Sequence, residues 1–157
     1  MTKLVMPRID RKLLSKKEAV IENLKKIIKV ENVLGHEDQV RPYETDALSA
    51  YKQKPLAVVF PENTIEVSKI LTYCNQERIK VVPRGAGTGL SGGALPLEDG
   101  ILLCLGKFNK ILEIDYKNRC VVAQPGVTNL SITQAVQDQG FYYAPDPSSQ
   151  IACSIGG

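Results

Sequence analysis

The chain has 157 residues, 43% of them hydrophobic, and a net charge of +3, which suits a soluble protein with one ordinary core. This charge is too small to indicate nucleic acid or an anionic membrane surface as a partner. No apolar run approaches the roughly 18 residues of a membrane-spanning helix, and no apolar segment follows the basic N-terminal residues as in a signal peptide. We therefore expect a cytoplasmic protein that does not bind nucleic acid.

The cysteine pattern does not predict a metal site. Cys74, Cys104, Cys120 and Cys153 lie far apart without a C-x-x-C pair, and His36 is the single histidine. Cys104 and Cys120 fall inside predicted strands, where cysteine packs as a small apolar residue, and we expect the same of Cys74. Cys153 is set apart because it lies in a motif considered below.

Residues 1–54 are predicted to form an N-terminal helix and a lead-in segment. Ser15 has the spacing of a capping box, and apolar residues follow at helical intervals over 16–29. This helix is either a packing element or a docking helix for a partner subunit. The rest of the segment is polar and irregular, with His36 in an exposed loop and Asp46 capping a short helical turn.

The next residues have the pattern of a β-α-β unit. Strands are predicted over 55–60 and 80–83, the second ending at Pro83, and Asn63 has the spacing of a helix cap between them. The residues expected on the buried side of this helix are Ile65, Val67, Ile70, Leu71 and Cys74. Strands joined in this way are expected to be parallel, with a right-handed crossover.

Five of the chain's twelve glycines lie between residues 85 and 93, directly after the second strand. Glycine lets backbone N–H groups approach a ligand, and converging N–H groups form an anion nest, so we expect a phosphate or pyrophosphate here. The loop contains no lysine, which excludes a P-loop. The alternative is an ordinary glycine-rich surface loop.

The same loop matches a dinucleotide-binding spacing only by accident. Gly87, Gly89 and Gly92 fit G-x-G-x-x-G, but that motif must open a helix. Pro96 and a predicted strand over 101–105 leave no room for one. The loop therefore joins strand to strand.

The remaining pattern predicts an antiparallel hairpin and one more helix. Segments 111–115 and 120–124 flank a turn, and Thr128 is placed to cap a helix over 129–138 that ends at Gly140. We infer an α+β fold in which a small parallel β-α-β subdomain is followed by the start of an antiparallel one.

Three motifs in order carry a family resemblance. The glycine loop is followed by a proline-serine motif at 143–150 and a terminal motif at 153–157. From about residue 41 onwards the chain resembles the FAD-linked oxidases of the vanillyl-alcohol-oxidase class, and within it the glycolate oxidase and D-lactate dehydrogenase group. The resemblance implies that residues 55–157 are the N-terminal portion of the FAD-binding domain, truncated at its C-terminus.

The resemblance also implies the cofactor and its ligands. FAD is expected to bind non-covalently between the two subdomains, with its pyrophosphate in the glycine loop and the later motifs facing the flavin. The expected cofactor-binding residues are Pro83, Arg84, Gly85, Ala86, Gly87, Thr88, Gly89, Ser91, Gly92, Asp146, Pro147, Ser148, Ser149, Cys153, Ser154, Gly156 and Gly157. We assign no catalytic residue, because Asp146 has no visible partner acid or base and the family's histidine-rich catalytic region corresponds to sequence beyond residue 157.

The expected function is the FAD-binding portion of a 2-hydroxy-acid oxidoreductase, in which FAD takes a hydride from the substrate carbon. Residues 1–157 alone are expected to be inactive and to self-associate. The substrate is expected to bind a further domain, and further oxidase subunits would account for any association with the inner face of a membrane. The alternatives are a non-catalytic nucleotide-binding α/β module, and a structural α/β fragment without a ligand.

Overall fold

The computed structural model describes residues 7–156. The helices are α1 (Arg11–Leu14), α2 (Lys17–Ile27), α3 (Glu37–Val40), α4 (Thr64–Gln76) and α5 (Asn129–Val136). The strands are β1 (Val33–Leu34), β2 (Ala57–Val59), β3 (Lys80–Arg84), β4 (Gly100–Cys104), β5 (Ile111–Asp115) and β6 (Cys120–Ala123). Within this part of the chain, the strands form one four-stranded and one two-stranded sheet.

The larger sheet has the strand order β1-β2-β4-β3. Strand β4 lies between β2 and β3 and is parallel to both, with Leu102 opposite Val58 on one side and Val82 on the other. The predicted parallel arrangement is thus confirmed, while the handedness of the crossover stays a prediction. The short β1, which the sequence did not reveal, pairs antiparallel with β2 through Val33 and Val59.

Side chains alternate between the two faces of this sheet, and both faces are covered. Ala57 and Ile101 belong to a core that includes Leu24 of α2 and Ile70 of α4. On the opposite face Val58, Leu102 and Cys104 pack with Val40, and Tyr43 lies against that cluster. Coverage on both sides is the usual condition for a parallel sheet, and it explains why all five residues of β4 are buried.

The predicted N-terminal helix is present, but it starts differently. Asp10 caps α1, because its Oδ1 accepts hydrogen bonds from the N–H groups of Lys12 and Leu13. Ser15 ends that helix and donates its hydroxyl to the carbonyl of Lys12 at 2.9 Å. The capping box predicted at Ser15 is therefore wrong, since the chain is already helical before it.

The helix of the β-α-β unit begins as predicted, with Asn63 Oδ1 accepting from Glu66 N at 2.9 Å. Its buried side is narrower than predicted. Ile70 and Cys74 are fully buried, whereas Ile65 is 68% exposed and Leu71 is 44% exposed. Successive residues turn by roughly 100°, so Leu71 points away from the stripe that contains Ile70. A single layer of sheet beneath α4 covers only that stripe.

Strand β3 continues through Pro83 to Arg84, so the expectation that it ends at Pro83 was one residue short. Proline lacks an N–H donor and is tolerated here because β3 is an edge strand. Between Arg84 and Gly100 the chain forms turns and no helix, as expected for a loop that joins strand to strand.

The predicted hairpin and final helix are confirmed. Strands β5 and β6 pair antiparallel, with Ile114 opposite Val121. Thr128 Oγ1 accepts from Ser131 N at 3.2 Å at the start of α5, and the 3₁₀ turn Gln137–Gln139 ends at Gly140 with φ of 74°. The α+β fold, with a parallel part followed by an antiparallel part, is the one the sequence predicts.

The predicted exposure of His36 is confirmed, whereas the predicted burial of Cys120 is not. His36 is exposed at the start of α3, and its N–H donates to Gln39 Oε1. Cys120 is exposed, whereas Cys74 and Cys104 are buried. Burial of Cys120 was wrongly predicted because β6 belongs to a two-stranded sheet that presents part of its surface to solvent.

Candidate functional site

The glycine loop, residues 85–93, follows β3 at the end where the parallel strands finish. Ligands of α/β sheets bind at this carboxyl edge. The loop encloses a cleft of about 310 Å³. Its lining residues are Pro83, Gly85, Ala86, Gly87, Thr88, Gly89, Ser91, Gly93, Ala94 and Ser154.

Gly87 is favoured at its position mainly by its backbone conformation. Its φ is 71°, a left-handed conformation that side chains disfavour. A Cβ added at Gly87 would also lie 2.6 Å from Cζ of Arg84. Gly89 differs, because a Cβ there would have no atom within 4 Å. One glycine therefore sets the shape of the loop, and the other leaves the cleft open.

Backbone donors of the loop lie beside the cleft. The N–H of Ala86 donates to Ser154 Oγ at 3.2 Å. For the N–H groups of Gly87, Thr88 and Gly89 we find no acceptor among residues 7–156. Consecutive free N–H groups beside a cleft form an anion nest, and this donor set fits a pyrophosphate.

The Ala86–Ser154 contact joins two motifs separated by 68 positions. Of the residues expected to bind a cofactor in the proline-serine and terminal motifs, Ser154 alone lines this cleft within the described residues. Because a hydroxyl can both accept and donate, Ser154 can accept from the Ala86 N–H and also donate to an anion.

The Arg84 side chain does not line the cleft and instead joins the loop to residues near Thr45. Its Nη1 donates to the carbonyl of Thr45 at 2.8 Å, and its Cζ lies 5.9 Å from the centre of the Tyr43 ring. The N–H of Ala47 donates to the carbonyl of Gly87 at 2.9 Å. Residues 43–48, which we call the lead-in turn, thus form a platform for the loop that no local sequence signal indicated.

Asp46 lies in the lead-in turn and is 5% exposed. Its Oδ1 accepts from Leu48 N at 2.9 Å, so it caps a turn rather than the predicted helical segment. Its Oδ2 is buried without a hydrogen-bond partner in the described part of the chain.

The terminal motif is held against the start of α5 by backbone hydrogen bonds. Asn129 N donates to the carbonyl of Cys153 at 3.0 Å, and Leu130 N donates to that of Gln150 at 3.1 Å. Ile155 N donates in turn to the carbonyl of Val127 at 3.0 Å. The first N–H groups of α5 therefore already have acceptors within the chain.

The other expected cofactor residues lie outside this cleft. Asp146, Pro147 and Ser148 are exposed, and Ser149 is half-buried. Gly156 N donates to the carbonyl of Pro125 at 2.9 Å. Gly157 lies outside the described residues.

Residues 7–156 carry neither a metal-binding cluster nor a membrane-spanning helix. No group of three or more His, Cys, Asp or Glu side chains there is arranged to hold a metal ion. No helix in that range is long and apolar enough to cross a membrane.

A glycine-loop nest at the carboxyl edge of a small parallel sheet, followed by an antiparallel subdomain, defines the FAD-binding domain of vanillyl-alcohol-oxidase-type flavoproteins. A family profile described as "FAD binding domain" matches residues 55–157, and the chain belongs to that family. FAD is accordingly its cofactor.

Comparison with individual proteins agrees with this class. The chain is 49% identical over 152 residues to "Glycolate oxidase subunit GlcD" of Escherichia coli (strain K12), covering 97% of this chain and 29% of that protein. It is 36% identical over 139 residues to "D-lactate dehydrogenase" of Anaerostipes hadrus, covering 88% of this chain and 29% of that protein. The chain thus spans 29% of the length of each of these two relatives.

The fold also matches a solved flavoprotein. The structure of "4-ethylphenol oxidase from Gulosibacter chungangensis: isoeugenol complex" superposes with a TM-score of 0.71 at 28% identity. That match covers 87% of this chain and 27% of the other. The resemblance to FAD-linked oxidases, inferred from three motifs, is confirmed.

Proposed function

We propose that this chain holds the pyrophosphate of FAD in the glycine-loop cleft and is the FAD-binding portion of a 2-hydroxy-acid oxidoreductase. The observation that carries the proposal is the contact between Ala86 N and Ser154 Oγ, beside free N–H groups of the loop. This contact places the glycine loop and the terminal motif, residues 153–157, at the same cleft. The 49% identity to a glycolate oxidase subunit supports the substrate class.

The chain's own residues bind and orient the cofactor. The N–H groups of Gly87, Thr88 and Gly89 donate to the pyrophosphate, and each such bond to a charged acceptor contributes about 1.5–3 kcal/mol. The hydroxyls of Thr88, Ser91 and Ser154 can add donors. Arg84 positions the loop through Thr45. It contributes its full positive charge from outside the cleft, rather than a direct phosphate contact.

The flavin end of the cofactor is assigned to the proline-serine and terminal motifs. Their proposed members are Asp146, Pro147, Ser148, Ser149, Cys153, Gly156 and Gly157. FAD supplies the redox chemistry by accepting a hydride from the carbon that bears the substrate hydroxyl. No residue of this chain is assigned as the base that removes the hydroxyl proton.

Substrate and partners belong to the whole protein. We propose glycolate or D-lactate as substrate, bound by sequence that corresponds to the remaining length of the relatives, and further subunits as in a multisubunit oxidase. Residues 1–157 alone are expected not to reduce a dye with either acid. Turnover by the purified chain would contradict this division of labour.

The pyrophosphate assignment is tested by NMR on the ¹⁵N-labelled chain, which detects weak binding. FAD and ADP should shift the amide signals of Ala86, Gly87 and Thr88, whereas riboflavin, which lacks phosphate, should leave them unchanged. FAD binding without a change in these signals would overturn the assignment. ADP binding as tight as FAD binding would favour the non-catalytic nucleotide module.

Two glycine substitutions test separately whether FAD binding needs the backbone conformation of the loop and whether it needs the open space in the cleft. In the full-length protein, Gly87→Val should lose stability and bind FAD at least about 100-fold more weakly, because valine disfavours positive φ and meets Arg84. Gly89→Val should lose FAD to a similar extent while keeping its stability, because its side chain enters open space. Gly106→Val is the matched control, since a Cβ there also meets nothing within 4 Å outside the loop.

Arg84→Ala should weaken FAD binding by only about tenfold, because the backbone donors remain. A Gly87→Val protein that retains stoichiometric FAD would refute the nest.

A further inference from the structure

Basic residues are concentrated at the beginning of the chain. Residues 1–29 contain nine Lys or Arg and three Asp or Glu. Residues 30–157 contain eleven Lys or Arg and fourteen Asp or Glu. The net charge of +3 is therefore the sum of a basic segment, residues 1–29, and an acidic remainder, residues 30–157. Such asymmetry between parts of one chain indicates an anionic partner for the basic part.

Five of these cations lie within ten positions, and we call them the basic arm. They are Arg8, Arg11, Lys12, Lys16 and Lys17, of which only Lys17 is half-buried and the others are exposed. None of the five takes part in an ion pair among residues 7–156. The one acid between them, Asp10, uses its Oδ1 to cap α1.

The basic arm is fixed to the sheet. The buried carboxylate of Asp99 accepts from Asp10 N at 2.7 Å and from Lys80 Nζ at 2.7 Å. Lys80 Nζ also donates to the carbonyl of Arg8 at 3.3 Å, and Leu13 is buried. The arm's backbone is therefore held against the sheet, and exposed cationic side chains extend from it.

The arm lies at the opposite end of the strands from the glycine loop. Lys80 and Gly100 begin the paired strands β3 and β4, and Arg84 and Cys104 end them. Four steps along a strand span roughly 13 Å, which exceeds the screening length of about 8 Å at physiological salt. The arm therefore contributes little to pyrophosphate binding, and its charge is available to another partner.

We propose that the basic arm binds an anionic lipid surface. Clusters of four to eight Lys or Arg beside a membrane span or on an amphipathic helix are a typical signature of such binding, and the basic arm places five cations in and around the short helix α1. A membrane surface offers mobile phosphate and carboxylate groups that can pair with dispersed cations without a shaped pocket. Docking by the arm would leave the glycine loop at the far end of the strands, accessible to its cofactor.

Other anionic partners fit this surface less well. Specific protein interfaces usually have aromatic or aliphatic anchors, but the exposed apolar side chain within residues 8–17 is Ile9, at 40%. Single-stranded nucleic acids are usually held by aromatic stacking, and the first aromatic residue of the chain is Tyr43.

The test is sedimentation of the full chain with lipid vesicles. Vesicles with 30% phosphatidylglycerol should bind it, and pure phosphatidylcholine vesicles should not. Removal of three arm charges in Arg11→Gln/Lys12→Gln/Lys16→Gln should weaken binding about 100-fold, since each surface cation contributes roughly fivefold. The matched control Lys69→Gln/Lys110→Gln/Lys117→Gln removes the same charge elsewhere and should bind nearly as the parent does.

Three outcomes would overturn the proposal. They are equal losses in the two triple variants, no binding to anionic vesicles at about 50 mM salt, and tighter binding to a DNA duplex or to polyglutamate than to the vesicles. Both variants should keep the parent's unfolding midpoint, because the substituted side chains are exposed. A mutant that unfolds is replaced by the single variant Lys12→Gln, for which a fivefold loss is expected.

Discussion

The two sheets of this chain have opposite relations to solvent. Every residue of β4 is buried, and both faces of its sheet are covered by other elements. In the hairpin, Leu112 of β5 is 60% exposed and Val122 of β6 is 50% exposed. The parallel part therefore carries the stability of the described chain, while the hairpin part leaves apolar surface open for further contacts. We expect this open surface to promote self-association of residues 1–157.

The largest expected effect comes from a pair of side-chain truncations to alanine, one in each sheet. Leu102→Ala in β4 should lower the free energy of unfolding by about 2–5 kcal/mol, because it leaves a cavity in a fully buried site. Val122→Ala in β6 should change it by less than about 0.5 kcal/mol, because half of this side chain is already exposed. Urea unfolding of both proteins measures the difference. Similar losses would show that the hairpin is as well packed as the parallel sheet.

A smaller effect is expected at the ion pair that ties the N-terminal segment to the parallel sheet. Burial alone would raise the pKa of Asp99, but hydrogen bonds from Lys80 and from Asp10 N outweigh it and hold the pKa below its ordinary value of 3.8. A carboxylate with a depressed pKa contributes its full stabilisation of the folded state above its unfolded pKa. This contribution is lost as the pH falls from the unfolded pKa through the lower, folded-state pKa.

Asp99→Asn should therefore cost about 1–3 kcal/mol at pH 7, and progressively less as the pH falls below 3.8. Unfolding curves at pH 7 and at pH 3 measure the change. Asp38→Asn is the control, because the Asp38 side chain is 86% exposed and should contribute almost nothing. A pH-independent loss in Asp99→Asn would mean that shape, and not charge, is what matters at this position.

The smallest expected effect is chemical modification of the unchanged protein, which compares the reactivity of one cysteine thiol in each sheet. Burial raises the pKa of Cys104 in β4 to about 12, so almost none of it is thiolate at pH 8. Cys120 in β6 is exposed. Iodoacetamide at pH 8 should modify Cys120 at least about 100-fold faster than Cys104, as followed by peptide mass spectrometry. In 8 M urea the two rates should converge, and equal rates in buffer would contradict the difference in burial.

The sequence predicted those parts of the fold that depend on local chemistry. Asn63 and Thr128 cap their helices as expected, because capping needs only one side chain and an N–H group three residues away. The parallel β-α-β unit followed from the spacing of its strands. The exposed Ile65 shows the limit of such reasoning, since helical periodicity cannot tell how wide a stripe the neighbouring layer covers.

The candidate site was predicted only in part for a related reason. The concentration of glycine identified the loop, but its supports come from far away in the chain. Arg84 contacts Thr45 across 39 positions, and Ala86 contacts Ser154 across 68. No local pattern encodes contacts of that range. The sequence therefore could not show that Arg84 faces the lead-in turn, nor that Ser154 faces the loop.

The central position of β4 has a consequence for how the protein is made. Strands β2 and β3 emerge from the ribosome first, yet neither pairs with the other, because both pair with β4. Until residues 100–104 have left the exit tunnel, the earlier strands lack their common neighbour and the two unpaired edges remain open to aggregation. The nascent chain should therefore stay protease-sensitive through the whole glycine loop and become resistant in one step when β4 inserts. A chain arrested at residue 99 would need a chaperone to remain in solution.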